Sequence, residues 1–223
     1  MKIVLRIAGS ILGSPPDARL VSGYAHVISK LISEGNSLAV VVGGGPLARS
    51  YIEAAKALGL RLSEQDQIGL NAARLNAKLI AMKLGINKPV PVTVEEMIDR
   101  LKQSKVEVMG GLKPGITTDA VSVLVAERWK ADLIVKGTNQ KGIHTSDPAK
   151  DKKARKLDEI THIRMQQILS SRHKPGIHSI VDPVAVKRLA KSRIKLIVLD
   201  GSNPQNMLAA VHGKKVGTLV SSK

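Results

Sequence analysis

Leu38-Ala-Val-Val-Val-Gly-Gly-Gly-Pro-Leu-Ala-Arg49 decides how the rest of this chain is read. An apolar run ends in three glycines, and Pro46 then opens a helical pattern that carries an arginine. A buried strand here delivers a bare backbone to a helix N-terminus, where free N–H groups and the helix dipole favour an anion. Pro46 suits the first helical position, because an N–H there has no intrahelical partner. Arg49 falls in the first turn, where the dipole disfavours a cation, so its side chain reads as reaching back to an anion. Glycines that merely allow tight strand–helix packing are the other reading, and the segment alone leaves both open.

Working outward, the strand at 37–42 is joined by similar stretches at 2–7, 105–109, 132–136 and 195–199. Each is short, rich in Val, Ile or Leu, and apolar on consecutive positions, as strands covered on both faces are. Helical patterns separate them. Leu47, Tyr51, Ala54, Ala55 and Leu58 share one face over 46–58, and Ile68, Ala72, Leu75, Leu79 and Met82 form a stripe from Gln67 onward. Thr93-Val-Glu-Glu96 is a capping box that starts a helix near Val94, and another helix runs over 120–129. Asp182-Pro183 and Asn203-Pro204 mark further helix starts. The alternation predicts an α/β fold, with a mainly parallel sheet.

Ligands of such sheets gather beyond the carboxyl ends of the strands. Four predicted strands end there in glycine: Ala8-Gly9-Ser10, Gly43-Gly44-Gly45, Gly110-Gly111 and Gly137-Thr138-Asn139. Each alone is weak, since glycine is common after strands. Four on one edge predict an extended ligand carrying several phosphates. In the third loop, Thr117 and Thr118 stand at a helix start and could hold a phosphate or simply cap the helix beside Asp119. The fourth, 136–148, reads as a hairpin followed by Asp-Pro, whose polar residues could meet a base or a ribose. Asp66 reads either as an N-cap of the long helix or as a ribose ligand. Arg74 reads as a solvated helix residue or as a contact to a second ligand or a neighbouring subunit.

Composition narrows the classes. The 223 residues are 43% hydrophobic, enough for a sizeable core, and no run approaches the roughly 18 apolar residues of a membrane span. Met1 leads directly into a strand pattern with no signal-peptide layout, and there is no cysteine, so a cytoplasmic protein is expected. A net charge of +17 attracts polyanions, but basic residues are spread along the chain and the densest run, 150–156, reads as a solvated loop. Aromatics are 1% of the chain, which speaks against stacking on single-stranded nucleic acid. There is no Walker loop and no protein-kinase motif set. The six histidines show no metal-ligand spacing, so no protein metal site is expected. His173 and His178 flank Pro175-Gly176 and read as surface loop residues.

These pieces resemble, in order and over nearly the whole chain, the amino acid kinase superfamily, and within it the archaeal-type uridylate (UMP) kinases. The matching segments are IAGS at 7–10, VVVGGGPLAR at 40–49, DQIGLNAARLNA at 66–77, MGGLKPGITTDAVSVLVAE at 109–127, TNQKGIHTSDP at 138–148 and IVDPVAVKRLAKSRIKLIVLDG at 180–201. The resemblance implies a single domain over 1–223, a three-layer α/β/α sandwich, with the acceptor part at roughly 1–130 and the ATP part at roughly 131–223. It implies phosphoryl transfer from MgATP to UMP, giving UDP for pyrimidine nucleotide supply, in a homohexamer built from dimers. It places Gly9, Ser10, Gly45 and Arg49 against the ATP phosphates, and Thr138, His144 and Asp147 facing the adenosine. Gly44 would contact UMP, Asp66 its ribose, and Leu112, Lys113, Pro114, Gly115, Ile116, Thr117 and Thr118 its base and phosphate. Arg6 and Arg49 are the expected catalytic cations, with Mg2+ arriving on ATP.

The residue inventory agrees with that chemistry. A phosphate oxygen is already ionised near neutral pH, so phosphoryl transfer between nucleotides needs positioning and charge neutralisation rather than a general base. Three departures stand out. Arg6 occupies a position where many relatives have lysine, and the two differ in reach and geometry. Asn139-Gln-Lys-Gly-Ile-His144 replaces the usual N-V-D-G-V-Y, with Lys141 adding a cation and His144 a different ring. Asp119 and Asp182 match, but as orienting groups or as helix caps. The alternatives are a kinase for another small acceptor (isopentenyl phosphate, carbamate or an acylamino acid), a non-catalytic nucleotide sensor, and a basic nucleic-acid binder.

Overall fold

The computed structural model describes residues 1–148, 151–170 and 180–222. His173 and His178 lie outside the described residues. The element order is β1 (Lys2–Ile7), α1 (Gly9–Leu12), α2 (Ala18–Ser33), β2 (Ser37–Val42), α3 (Gly45–Ala57), α4 (Leu62–Lys83), α5 (Val94–Leu101), β3 (Val106–Met109), α6 (Thr118–Trp129) and β4 (Leu133–Thr138). It continues with β5 (Glu159–Thr161), α7 (His162–Ser170), α8 (Pro183–Ser192), β6 (Lys195–Asp200), α9 (Gln205–Val211) and β7 (Thr218–Ser221). No helix among the described residues is long and apolar enough to cross a membrane.

The sheet order is β3-β2-β1-β4-β6-β7-β5. The first five run parallel, while β7 pairs antiparallel with β6 and carries β5 parallel to itself at the edge. The five expected strands are all present. β5 and β7 are additional, and at three and four residues they are too short to show a periodicity.

Alternate strand residues enter two cores, which makes the sandwich three-layered. Val4, Ala39, Val41 and Ile134 face a layer that includes Met97 of α5, Val121 and Val125 of α6, and Leu189 of α8. Ile3, Leu5, Ile7, Val40 and Val135 face Tyr24 and Ile28 of α2, Ile80 of α4 and Met207 of α9. With both faces covered, the central strands are apolar at nearly every position. The polar exceptions, Arg6 and Lys136, therefore stand out.

Two local expectations are corrected. α4 begins at Leu62, so Asp66 lies inside the helix and is not its N-cap. The N-cap residue is Arg61 rather than Ser, Thr, Asp or Asn, and its N–H donates to Glu64 Oε2 at 2.7 Å. The loop after β4 does not fold back within 136–148. It closes against 155–157, where Leu157 N donates to the Ile143 carbonyl at 2.8 Å and Thr145 N to the Arg155 carbonyl at 2.9 Å.

Candidate active site

Parallel pairing sets the C-terminal ends of β1, β2 and β4 side by side, and a cavity of about 780 Å³ opens at that edge. Arg6, Gly9, Ser10, Gly43, Gly44, Gly45, Arg49, Thr117, Thr118, Asp119, Lys136, Thr138, Asn139, Gln140 and Asp182 line it. A second cavity of about 360 Å³ adjoins it, lined by Gly44, Asp66, Gly69, Lys113, Pro114, Gly115, Ile116, Thr117 and Thr118 among others. Gly44, Thr117 and Thr118 belong to both. The arrangement is one long trough with two compartments.

A buried ionic cluster forms the floor. Arg6 and Lys136 are register partners on β1 and β4, so their side chains leave the same sheet face next to each other. Asp119, from the first turn of α6, reaches between them. Arg6 Nε donates to its Oδ1 at 2.9 Å, while Lys136 Nζ and the Asp182 N–H (3.1 Å) donate to Oδ2. Arg6 also donates to Thr118 Oγ1 at 2.7 Å and to the Ile7 carbonyl. Burial alone would raise the Asp119 pKa, but the charges of Lys136 and Arg6 outweigh it and hold the carboxyl down at about 2. Burial pulls the Lys136 ammonium below its ordinary range, with Asp119 opposing. With Asp182 and the rim Arg49 included, the cavity lining carries three cations against two carboxylates.

Asp119 and Asp182 thus differ in role. Asp182 Oδ1 accepts from Val184 N at 2.8 Å and Ala185 N at 3.1 Å, capping α8. Asp119 caps nothing; Thr117 does that for α6, accepting from Ala120 N at 3.2 Å.

The glycine turn meets the end of β1 backbone to backbone. Gly45 has φ +59°, and a Cβ on it would lie 2.1 Å from the Gly9 carbonyl carbon. Arg49, one turn into α3, is exposed on the cavity rim and meets no partner among the described residues. On the acceptor side, Asp66 Oδ2 accepts from Gly115 N at 3.1 Å, and Arg74 holds the carbonyls of Gly111 and Leu112, both at 3.0 Å. Arg74 is therefore a tether for the 111–117 loop.

Not every expected residue comes to the trough. Leu112 lines neither compartment but an adjoining groove with Val92, Val94 and Leu124, which shares Lys113, Gly115, Ile116 and Thr117 with the smaller compartment. His144 and Asp147 lie farther along the loop after β4, outside both cavities, whereas Thr138, Asn139 and Gln140 line the larger one. That loop is held by buried Thr218 of β7, whose Oγ1 accepts from Ile143 N at 2.8 Å. Sequence reasoning missed Lys136. The available signal was a lysine inside the otherwise apolar strand LIVKGT, since a charge at such a place needs a partner.

The Amino acid kinase family model matches residues 1–200. A uridylate kinase of Hyperthermus butylicus is 38% identical over 221 residues, covering 98% of this chain and 97% of its own. The crystal structure of uridylate kinase from Archaeoglobus fulgidus superposes with a TM-score of 0.90 at 38% identity, over 99% of this chain and 100% of that one. The UMP kinase structure from Bacillus anthracis reaches 0.82 at 20% identity, over 100% and 96%, a likeness of fold alone.

Proposed function

The chain belongs to the amino acid kinase family, and from that premise we propose that it is a uridylate kinase, transferring the γ-phosphoryl group of ATP to UMP to give UDP and ADP. The observation that carries this reading is the two-compartment trough, whose shared walls, Gly44, Thr117 and Thr118, stand where a donor and an acceptor would meet. In this reading the first 130 residues serve mainly UMP and the remainder mainly ATP. The glycine turns after β1 and β2 reach across to the phosphates.

UMP lies in the smaller compartment, its ribose toward Asp66 and its base and phosphate along 112–118. The γ-phosphate lies between Gly9, Ser10 and Gly45, above Lys136 and beside Arg49. Thr138 and the loop through His144 and Asp147 serve the adenosine. Catalysis then consists of alignment and charge neutralisation. The acceptor phosphate oxygen attacks in line, Lys136 and Arg49 balance charge on the transferring phosphoryl, and amide N–H groups stabilise its oxygens. Arg6 already has three protein partners, so its main work is to hold Asp119 and Thr118 in place. Magnesium carried on ATP would supply further neutralisation of the phosphates. Asp119 and Asp182, the carboxylates of the larger cavity, are already partnered by Lys136 and by N–H groups of α8.

The reading extends to a homohexamer built from dimers, working in the cytoplasm where both nucleotides occur. Tyr51 of α3, Leu58 at its C-cap, and Leu62, Leu75, Leu79 and Met82 of α4 are exposed apolar residues on two helices packed against each other, which suits a contact between copies. The test is direct. Purified protein is offered UMP, CMP, AMP or isopentenyl phosphate with MgATP, and ADP release is measured. UMP should be preferred, and no UMP-dependent release would sink the proposal.

A further inference from the structure

We propose that Asn76 is a positioning residue for phosphoryl transfer, fixing two peptide planes of the glycine turn so that the Gly44 and Gly45 N–H groups face the phosphates. The inference rests on the phosphoryl-transfer reading and deepens it.

Asn76 lies in the body of α4 and is 1% exposed. Its Nδ2 donates to the carbonyls of Gly43 at 2.9 Å and Gly44 at 3.1 Å. Both targets are acceptors, so the NH2 end must be the one that faces them. A trans peptide is planar, with its C=O and the following N–H pointing in opposite directions. Holding the Gly43 carbonyl toward α4 therefore turns the Gly44 N–H away from that helix. Holding the Gly44 carbonyl does the same for the Gly45 N–H. No residue of α4 lines the larger cavity, whereas Gly44 and Gly45 do. The side of the turn away from α4 is thus the side that faces the ionic floor. Among the described residues neither N–H meets an acceptor.

Three successive glycines have little conformational preference of their own, so the turn needs an outside restraint. One carboxamide with two N–H groups restrains two adjacent planes at once. The other end of the same side chain argues against a purely stabilising role. Among the described residues the buried Asn76 Oδ1 has no partner, and an orphaned amide oxygen is destabilising. Leucine would fill a similar space without that penalty, but it could not orient the turn.

The experiment compares wild type with Asn76→Leu and Asn76→Ser, measuring kcat, the KM for each nucleotide, the thermal midpoint and ATP affinity by calorimetry. Asn76→Leu should keep or raise the midpoint while kcat falls on the order of 10²-fold, the scale of a slight misplacement of reacting groups. Asn76→Ser, which keeps one donor, should fall between the two. A lower midpoint with wild-type kcat in the folded fraction would overturn the proposal. Should Asn76→Leu fail to fold, Asn76→Ser decides, and wild-type kcat in that variant counts against the idea. UMP-dependent turnover of wild type tests the functional reading separately. If turnover is absent, ATP affinity decides: a loss of about tenfold in the variants supports the positioning role and an unchanged affinity overturns it.

Discussion

Arg6 and Lys136 stand next to each other across the β1–β4 pairing, and Asp119 reaches between them from α6. Removing either cation leaves Asp119 partly compensated by the other and by the Asp182 N–H, so the two substitutions separate binding from folding better than loss of Asp119 would. Lys136→Met should lower kcat by on the order of 10²-fold, the usual cost of losing one donor at a developing charge, with the fold retained by circular dichroism. Arg49→Ala, at an exposed position, should lose comparable turnover with an unchanged thermal midpoint. Asp119 has a folded pKa of about 2, below its unfolded value. Its contribution is therefore present above the unfolded value and is lost as pH falls through 2. That contribution is roughly 2 kcal/mol, from the pKa difference. Urea unfolding from neutral pH downward should show stability declining below about pH 4, with a shallower decline in Asp119→Asn. At this scale local spacing pointed to the glycines after β1 and β2 and to Arg49, and the family resemblance to Asp66, all of which line the trough. Neither revealed the Arg6–Asp119–Lys136 cluster, because its three members lie on separate elements and meet only through strand register.

At the scale of elements, the contact between Gly9 and Gly45 ties the start of α1 to the start of α3. Gly45→Ala adds a Cβ 2.1 Å from the Gly9 backbone at a positive φ. It should destabilise by roughly 2–4 kcal/mol, from overpacking plus the left-handed conformation, measured by chemical unfolding. Gly110 and Gly137 have a different reason to be glycine. A Cβ on the first would meet the Ala73 backbone at 2.6 Å, and one on the second the Met207 side chain at 2.6 Å. Two of the four glycine loops at the strand ends are therefore shaped by packing against α4 and α9. Sequence reasoning placed all four at the correct edge but could not separate these causes, since close approach to a helix and to a phosphate leave the same residue. The early start of α4 escaped notice for a similar reason: its first turn is satisfied by Arg61 and Glu64 rather than by a short polar cap. The Thr93 cap, by contrast, was legible because its hydroxyl accepts from Glu96 N within one local motif.

For the whole molecule, α3 and α4 combine two surfaces. One side of α4 holds the 111–117 loop and the glycine turn through Arg74 and Asn76, while Leu75, Leu79 and Met82 are exposed. If these residues carry the proposed contact between copies, Leu75→Glu with Leu79→Glu should give smaller species by light scattering than wild type, and turnover should fall with it where copies brace the same helix. The net charge of +17 favours anions over the entire surface, so KM for both nucleotides should rise as salt screens the field. The one surplus positive charge of the trough lining has a further thermodynamic meaning. Any anion that binds against it selects the folded state over the unfolded chain. Melting temperature then becomes a gauge of occupancy, because the unfolding free energy rises logarithmically once free anion exceeds its dissociation constant, by about 2.7 kcal/mol at a hundredfold excess. In a cell, the supply of phosphorylated metabolites would set how long this protein survives as well as how fast it works.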